Sequence, residues 1–169
     1  NRHIWNPTNF GIVAMLLLAA DTVAGLSVQW GNNLLPMVFV WVFGAIILKM
    51  VDRLHITLTY VASFLILAVV RARIIGHPVL SEIAPITGPM YQLFIFFMIT
   101  DPKTITKQRW SQVLVVVLIG FAETFFRVVF RDVHSLFHSL FVVGPIANLI
   151  EIGYLHYVAK AKAPAAVHG

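Results

Sequence analysis

WSQVLVVVLIGFAETFFRVVF, residues Trp110 to Phe130, is the stretch whose reading decides the fold. A helix needs about 20 mostly apolar residues to cross the hydrocarbon of a bilayer. This run has that length, and its ionisable groups are only Glu123 and Arg127. They stand four residues apart, on one helical face and in the favourable acid-before-base order. The stretch therefore predicts a membrane span with a charged pair inside it.

Working outward, a second run extends from about His134 to Val158, before Lys160, Lys162 and an Ala/Pro tail. Upstream, a basic loop from Lys103 to Arg109 follows an aromatic run that starts near Ile86 and stops at Asp101-Pro102, because a residue before proline leaves the helical region. Three more runs precede it: about Phe10 to Trp30, interrupted by Asp21; Leu34 to Met50; and Ile56 to Val70, closed by Arg71 and Arg73. The turn Gly31-Asn32-Asn33 separates the first two. Residues 74–89 contain Gly76, Pro78, Pro85, Gly88 and Pro89, a density of breakers that predicts a broken or re-entrant element. The expected fold is all-α: a multi-pass integral membrane protein of about six transmembrane helices, with residues 1–158 as one domain and 159–169 as a cytoplasmic tail.

Composition agrees with a lipid solvent. Of the 169 residues, 59 % are hydrophobic and 11 % charged, where a soluble chain carries about a quarter charged residues. The absence of cysteine excludes disulfides, thiolate metal sites and a thiol nucleophile. In so apolar a chain the net charge of +5 points to membrane orientation and not to nucleic acid. Six spans would put Arg2, Lys49, Arg53, Lys103, Lys107, Arg109, Lys160 and Lys162 on one side and Arg71, Arg73, Arg127 and Arg131 on the other. The positive-inside rule then expects cytoplasmic termini. The chain opens on Asn1 and reads as part of a longer protein.

Two segments carry a resemblance. Arg2-His3-Ile4-Trp5-Asn6-Pro7-Thr8-Asn9-Phe10-Gly11 and Thr87-Gly88-Pro89-Met90 through Phe96-Phe97-Met98-Ile99-Thr100-Asp101-Pro102-Lys103-Thr104 are similar to landmarks of NqrB and RnfD, membrane subunits of ion-pumping NADH:quinone and ferredoxin:NAD oxidoreductases. The wording is closer still to their smaller relatives labelled enediyne biosynthesis membrane proteins. Asn6, Pro7, Thr87, Gly88, Thr100, Asp101 and Pro102 are the residues that match, and the later order of Arg127, Asn148 and Glu151 is also similar. The redox members attach flavin mononucleotide to a threonine in an S/T-G-A-T motif. Thr22, Thr57 and Thr59 lie in no such tetrapeptide, so the resemblance does not carry a covalent flavin to this chain.

The polar residues of the spans each have two readings, because an ionisable group at membrane depth is costly unless paired or wet. Glu123 and Arg127 form an internal ion pair that lets the helix insert, or a relay, which needs a second acid facing them. Asp21 caps a broken helix or faces a site, and Glu151 is interfacial or part of a relay. His134 and His138 share a face and are candidates to bind a cofactor, or are hydrogen-bonded residues at a helix start. Asp101 reads as a helix-end device that caps the turn after Pro102. Trp5, Trp30 and Trp110 fall near span ends, as an aromatic belt requires, whereas Trp41 does not. No metal ligand set or catalytic residue is expected. Bound lipid, quinone or pigment and other integral membrane subunits are the expected partners. The functional expectation is a non-catalytic subunit of a respiratory or photosynthetic electron-transfer complex, with a small-solute or ion transporter, or an enzyme acting on a lipid-soluble intermediate, as alternatives.

Overall fold

Asn6 and Pro7 start the first helix by two separate means. The Asn6 side chain accepts from the Asn9 N–H at 3.0 Å, satisfying one of the donors a helix start leaves bare. Pro7 fills the first helical position, where its missing N–H costs nothing. The computed structural model describes residues 3–21 and 34–162. In them α1 (Pro7–Leu18) is followed by α2 (Leu34–Met50) and α3 (Leu54–Ile75). Gly76 ends α3 in the left-handed conformation, at φ 80°, where a Cβ is penalised.

The breaker-rich segment is broken, as its composition predicts. It holds a short α4 (Val79–Ile83), a tight turn over Ala84–Thr87, and α5 (Pro89–Leu93), which widens into a single π-type turn over Phe94–Met98. The long helices α6 (Arg109–Phe130) and α7 (Ser135–Lys162) complete the chain. No strand occurs among the described residues.

The six apolar segments thus occur in the expected order, but their lengths differ from expectation. Three helices are long and apolar enough to cross a membrane: Leu54–Ile75, Arg109–Phe130 and Ser135–Lys160. Pro7–Leu18, Leu35–Met50 and Pro89–Met98 are shorter. The first run, expected to continue to Trp30, leaves the helix at Ala19, and residues 22–33, including the expected Gly31-Asn32-Asn33 turn, lie outside the described residues. The third does not close at Arg71 but runs through it, with Arg71 fully buried. The fourth starts at Pro89, not Ile86.

The core lies between α3, the α5 half-helix and α6, with α1 and α7 closing it on one side. Ile56, Tyr60, Phe64, Tyr91, Phe94, Val116, Ile119 and Leu136 fill it. Gly44 of α2 lets the half-helix approach, since a Cβ there would sit 2.5 Å from the Phe96 ring. Trp41 does not serve a belt. Its indole N–H donates to Gln92 Oε1 at 2.7 Å, tying α2 to the half-helix. Outer faces stay apolar and exposed: Phe39, Phe43, Leu118, Phe121, Phe125, Ile146 and Ile150 all face outward.

Lipid offers no hydrogen bonds, so backbone groups freed by a helix break need protein partners. Pro145 lies inside α7 and has no N–H for the carbonyl one turn back, that of Phe141. The Trp5 indole donates to that carbonyl at 3.1 Å, and Asn9 Nδ2 donates to Phe137 O at 3.2 Å. Trp5, Phe10 and Phe141 also pack ring to ring, with centroids 5.8 to 6.0 Å apart. We expect Trp5→Phe, which keeps an aromatic ring and loses the donor, to lower stability in detergent by about 1 kcal/mol. In a Pro145→Ala background, which returns an N–H to that carbonyl, the same substitution should cost less. Thermal unfolding of the four proteins of this double-mutant cycle reads the difference.

Candidate functional site

The packing of α3 against α6 brings a buried polar chain together in the middle of an otherwise apolar core. Glu123, 1 % exposed, faces two phenols. Tyr60 of α3 donates to its Oε2 at 2.6 Å, and Tyr91 of α5 donates to its Oε1 at 2.5 Å. Both oxygens of the carboxylate therefore accept. The expected direct pair with Arg127 is corrected by this geometry. Arg127 donates through Nη2 to the Tyr91 hydroxyl at 2.8 Å and lies 5.8 Å from that ring's centroid. It meets Glu123 through Tyr91, because the phenol occupies the space between them.

The second acid that a relay requires is Glu82, in the broken segment. Its Oε2 lies 3.9 Å from Arg127 Nη1 and accepts from Arg71 Nε at 3.0 Å. Arg71 also donates to the Glu82 carbonyl at 3.4 Å and to Thr124 Oγ1 at 3.1 Å, and lies over the Phe64 ring at 5.0 Å. The other carboxylate oxygen, Oε1, is 3.2 Å from His77 Nδ1. His77 is 57 % exposed, whereas the Glu82 side chain is 9 % exposed. The chain thus runs from a solvent-facing imidazole to the centre of the bundle. Two guanidiniums and two carboxylates balance along it.

Beside Glu82 opens a cavity of about 610 Å³, lined by Ile75, His77, Glu82, Arg127, Arg131 and Asp132. A second, apolar cleft of about 490 Å³ lies between α6 and α7 near Trp110, Leu114 and Ile150. Burial pushes the Glu82 carboxyl up, but hydrogen bonds from Arg71 and His77 and the charges of Arg71 and Arg127 outweigh it and hold the group below the usual carboxylate range.

The other singled-out residues lie elsewhere. Asp21 is exposed at the end of the first described stretch. Glu151 accepts from the Lys107 N–H at 2.8 Å and anchors the basic loop at the opposite end of the bundle. His138 Nδ1 is 2.5 Å from Asp132 Oδ2, and Asp132 Oδ1 accepts from the His134 N–H at 2.8 Å. Both histidines are thereby drawn into the start of α7. Burial lowers the His134 pKa, and the nearby Asp132 opposes that shift. Among the described residues no three His, Cys, Asp or Glu side chains are grouped to hold a metal.

Asp101 does what its position predicts. Its Oδ1 accepts from the Lys103 N–H at 3.0 Å, and its Oδ2 accepts from Thr104 Oγ1 at 3.2 Å. That same Oδ2 accepts from Asn6 Nδ2 at 3.1 Å. Thr100 Oγ1 donates to Phe96 O at 2.7 Å, Thr57 Oγ1 to Ile95 O at 3.2 Å, and Asn6 Nδ2 also to Met98 O at 3.5 Å. Asn148 Nδ2 donates to Thr104 O at 2.6 Å and Ile4 O at 3.4 Å. Thr87 donates to Ala84 O, and Gly88 provides the residue ahead of α5, where a Cβ would stand 3.2 Å from Pro85 O.

Sequence reasoning missed Tyr60, Tyr91, Arg71 and Glu82. Glu82 is an acid inside a breaker-rich connector, and Arg71 resembles the positive end of a span. The one available signal was an acid in a segment flagged as broken at membrane depth. No protein-family model, curated protein or solved structure matches the chain.

Breaking a buried ion pair by removing one partner costs about 3–5 kcal/mol. Glu82→Gln, which leaves Arg71 buried without its counter-charge, should lose stability of that order at neutral pH. Because the folded pKa of Glu82 lies below its unfolded value, its contribution is complete above the unfolded pKa and fades as pH falls through the folded one. Acid unfolding of the wild type should show this slope, and the Glu82→Gln protein should lack it.

Proposed function

We propose that the chain is a non-catalytic membrane subunit of a larger electron-transfer assembly in a bacterial cytoplasmic membrane, of the NqrB and RnfD kind. The observation that supports this most is the Asn6–Asp101 hydrogen bond. It joins the two segments that carry the resemblance, which lie far apart in sequence. With Asn148 bridging Ile4 and Thr104, it ties the first segment to the Thr100–Thr104 end of the second as one structural unit at one end of the bundle. The side chains of that unit satisfy backbone and fix helix ends, which is work for a scaffold.

The exposed aromatic and aliphatic faces of α2, α6 and α7 suit lipid or neighbouring membrane subunits. The apolar cleft between α6 and α7 has the size and lining for a lipid, quinone or pigment tail. A second reading, a small-solute or ion transporter, draws support from the buried chain between Glu82 and Glu123.

Purification from native membranes in mild detergent separates the two. A scaffold subunit should co-purify in fixed stoichiometry with redox or pigment proteins, and the isolated chain should show no flavin or haem absorbance of its own. Recovery as a monomer or homodimer whose unfolding temperature rises with one particular solute would overturn the scaffold reading. Asn6→Ala should weaken co-purification if the end unit is the platform for the assembly.

A further inference from the structure

A scaffold has no need for a carboxylate at the centre of its core. An uncharged residue would cost less, since charges buried in lipid are expensive. Glu123 nevertheless sits there, joined by hydrogen bonds through Tyr91 to Arg127, which lies 3.9 Å from Glu82 and so continues the chain to an exposed imidazole. We propose that Glu123 is a proton-accepting group that exchanges with water through the His77–Glu82 mouth and, among the described residues, through no other.

The groups along this path are ordered for the task. His77, 57 % exposed, faces the cavity of about 610 Å³ and stands 3.2 Å from Glu82 Oε1. Arg127 lines the same cavity and donates to the Tyr91 hydroxyl. That oxygen has two lone pairs, and Arg127 uses one. Tyr91 is buried behind Arg127 and does not line the cavity, so the step takes a water that has moved in past Arg127. As that water gives a proton to the other lone pair an O–H bond forms there, while Tyr91's own O–H breaks and its proton moves to Glu123 Oε1, 2.5 Å away. Tyr91 ends neutral, the water is left as hydroxide to be reprotonated through His77, and Glu123 becomes a neutral acid. No other co-reactant is needed.

On its far side the described residues pack closely. Tyr60 is fully buried, and its ring packs against Phe94 at 5.3 Å and Phe64 at 6.3 Å. Ile119 and Val116 are buried one and two turns before Glu123 on α6. The charged and titratable groups that face the site are Tyr60 and Arg71 from α3, Glu82 from α4, Tyr91 from α5 and Arg127 from α6. His138 and Asp132, at the start of α7, pair with each other. With Arg71, Arg127 and Glu82 all charged, protonating Glu123 takes the buried set from neutral to one positive charge. Uptake is therefore favoured when negative charge arrives nearby in the membrane. The proton exchange itself does not depend on the scaffold reading, and its failure would leave the purification result untouched.

Infrared difference spectra of the full chain in phosphatidylcholine nanodiscs, recorded across pH, test this. Acidification should raise a carboxylic-acid C=O band at the frequency of a dry acid. The band should vanish in Glu123→Gln and move in Tyr91→Phe, which keeps the ring and removes the bonded hydroxyl. His77→Ala, a change at an exposed side chain, should leave the band's amplitude intact and slow its rise after a pH jump several-fold. A wild-type protein without such a band overturns the proposal, as does a band unmoved by Tyr91→Phe or one that rises at the wild-type rate in His77→Ala. In sealed phosphatidylcholine vesicles the protein should hold a pH gradient as well as protein-free vesicles do. A leak that Glu123→Gln abolishes would overturn the single mouth.

Discussion

The fully buried guanidinium of Arg71 is the constraint on which the arrangement depends. It lies in the last turn and a half of α3 and touches three other groups: Glu82 in α4, Thr124 in α6 and the face of Phe64. Taking such a charge out of water costs several kcal/mol unless geometry and hydrogen bonds repay it. Repayment requires the broken segment to fold back against α3. Once α4 is held there, the chain leaves it through Gly88 and Pro89 in the place that sets Tyr91 beside Glu123. The position of the central phenol is thus a consequence of the Arg71–Glu82 bond.

A second theme is the use of side chains as backbone partners. Thr57, Thr100 and Asn6 meet carbonyls of the widened turn, and Trp5 meets the one that Pro145 cannot serve. In water these carbonyls would find solvent. In hydrocarbon each must find a donor from the protein, which explains why short polar side chains recur at the helix breaks of so apolar a chain. It also explains why Thr100, Asp101 and Asn6 lie together: the start of α1 and the end of the widened half-helix meet at the same end of the bundle.

Much of this was legible beforehand. Helix α6 was placed within a residue of its ends from charge alone, and the break between Gly76 and Pro89 followed from glycine and proline chemistry. The capping role of Asp101 was read from its place before Pro102. The site was legible only at Glu123 and Arg127. Their spacing suggested a direct pair, since i,i+4 geometry says nothing of a third side chain arriving from another helix. Tyr91 comes from a half-helix whose direction is set by the turn at Thr87–Gly88, and Tyr60 from a helix that runs alongside α6. Arg71 looked like a span end because an arginine after an apolar run is usually at the interface. Only a tertiary partner, itself in a connector, keeps it inside.

The Trp5–Phe141 bond links residues 136 positions apart, and that separation bears on how the protein is made. The indole that completes α7 stands ahead of α1, so translation supplies the donor well before the α7 carbonyl it serves. Until then the N-terminal segment lacks the surface it packs on, and α7 enters the bilayer with its proline break unsealed. The contact therefore forms only after α7 has emerged, and it joins two segments made far apart in time. A helix bundle closed in this way behaves less like a stack of independent hairpins than like a clasp, secure only when both halves are present.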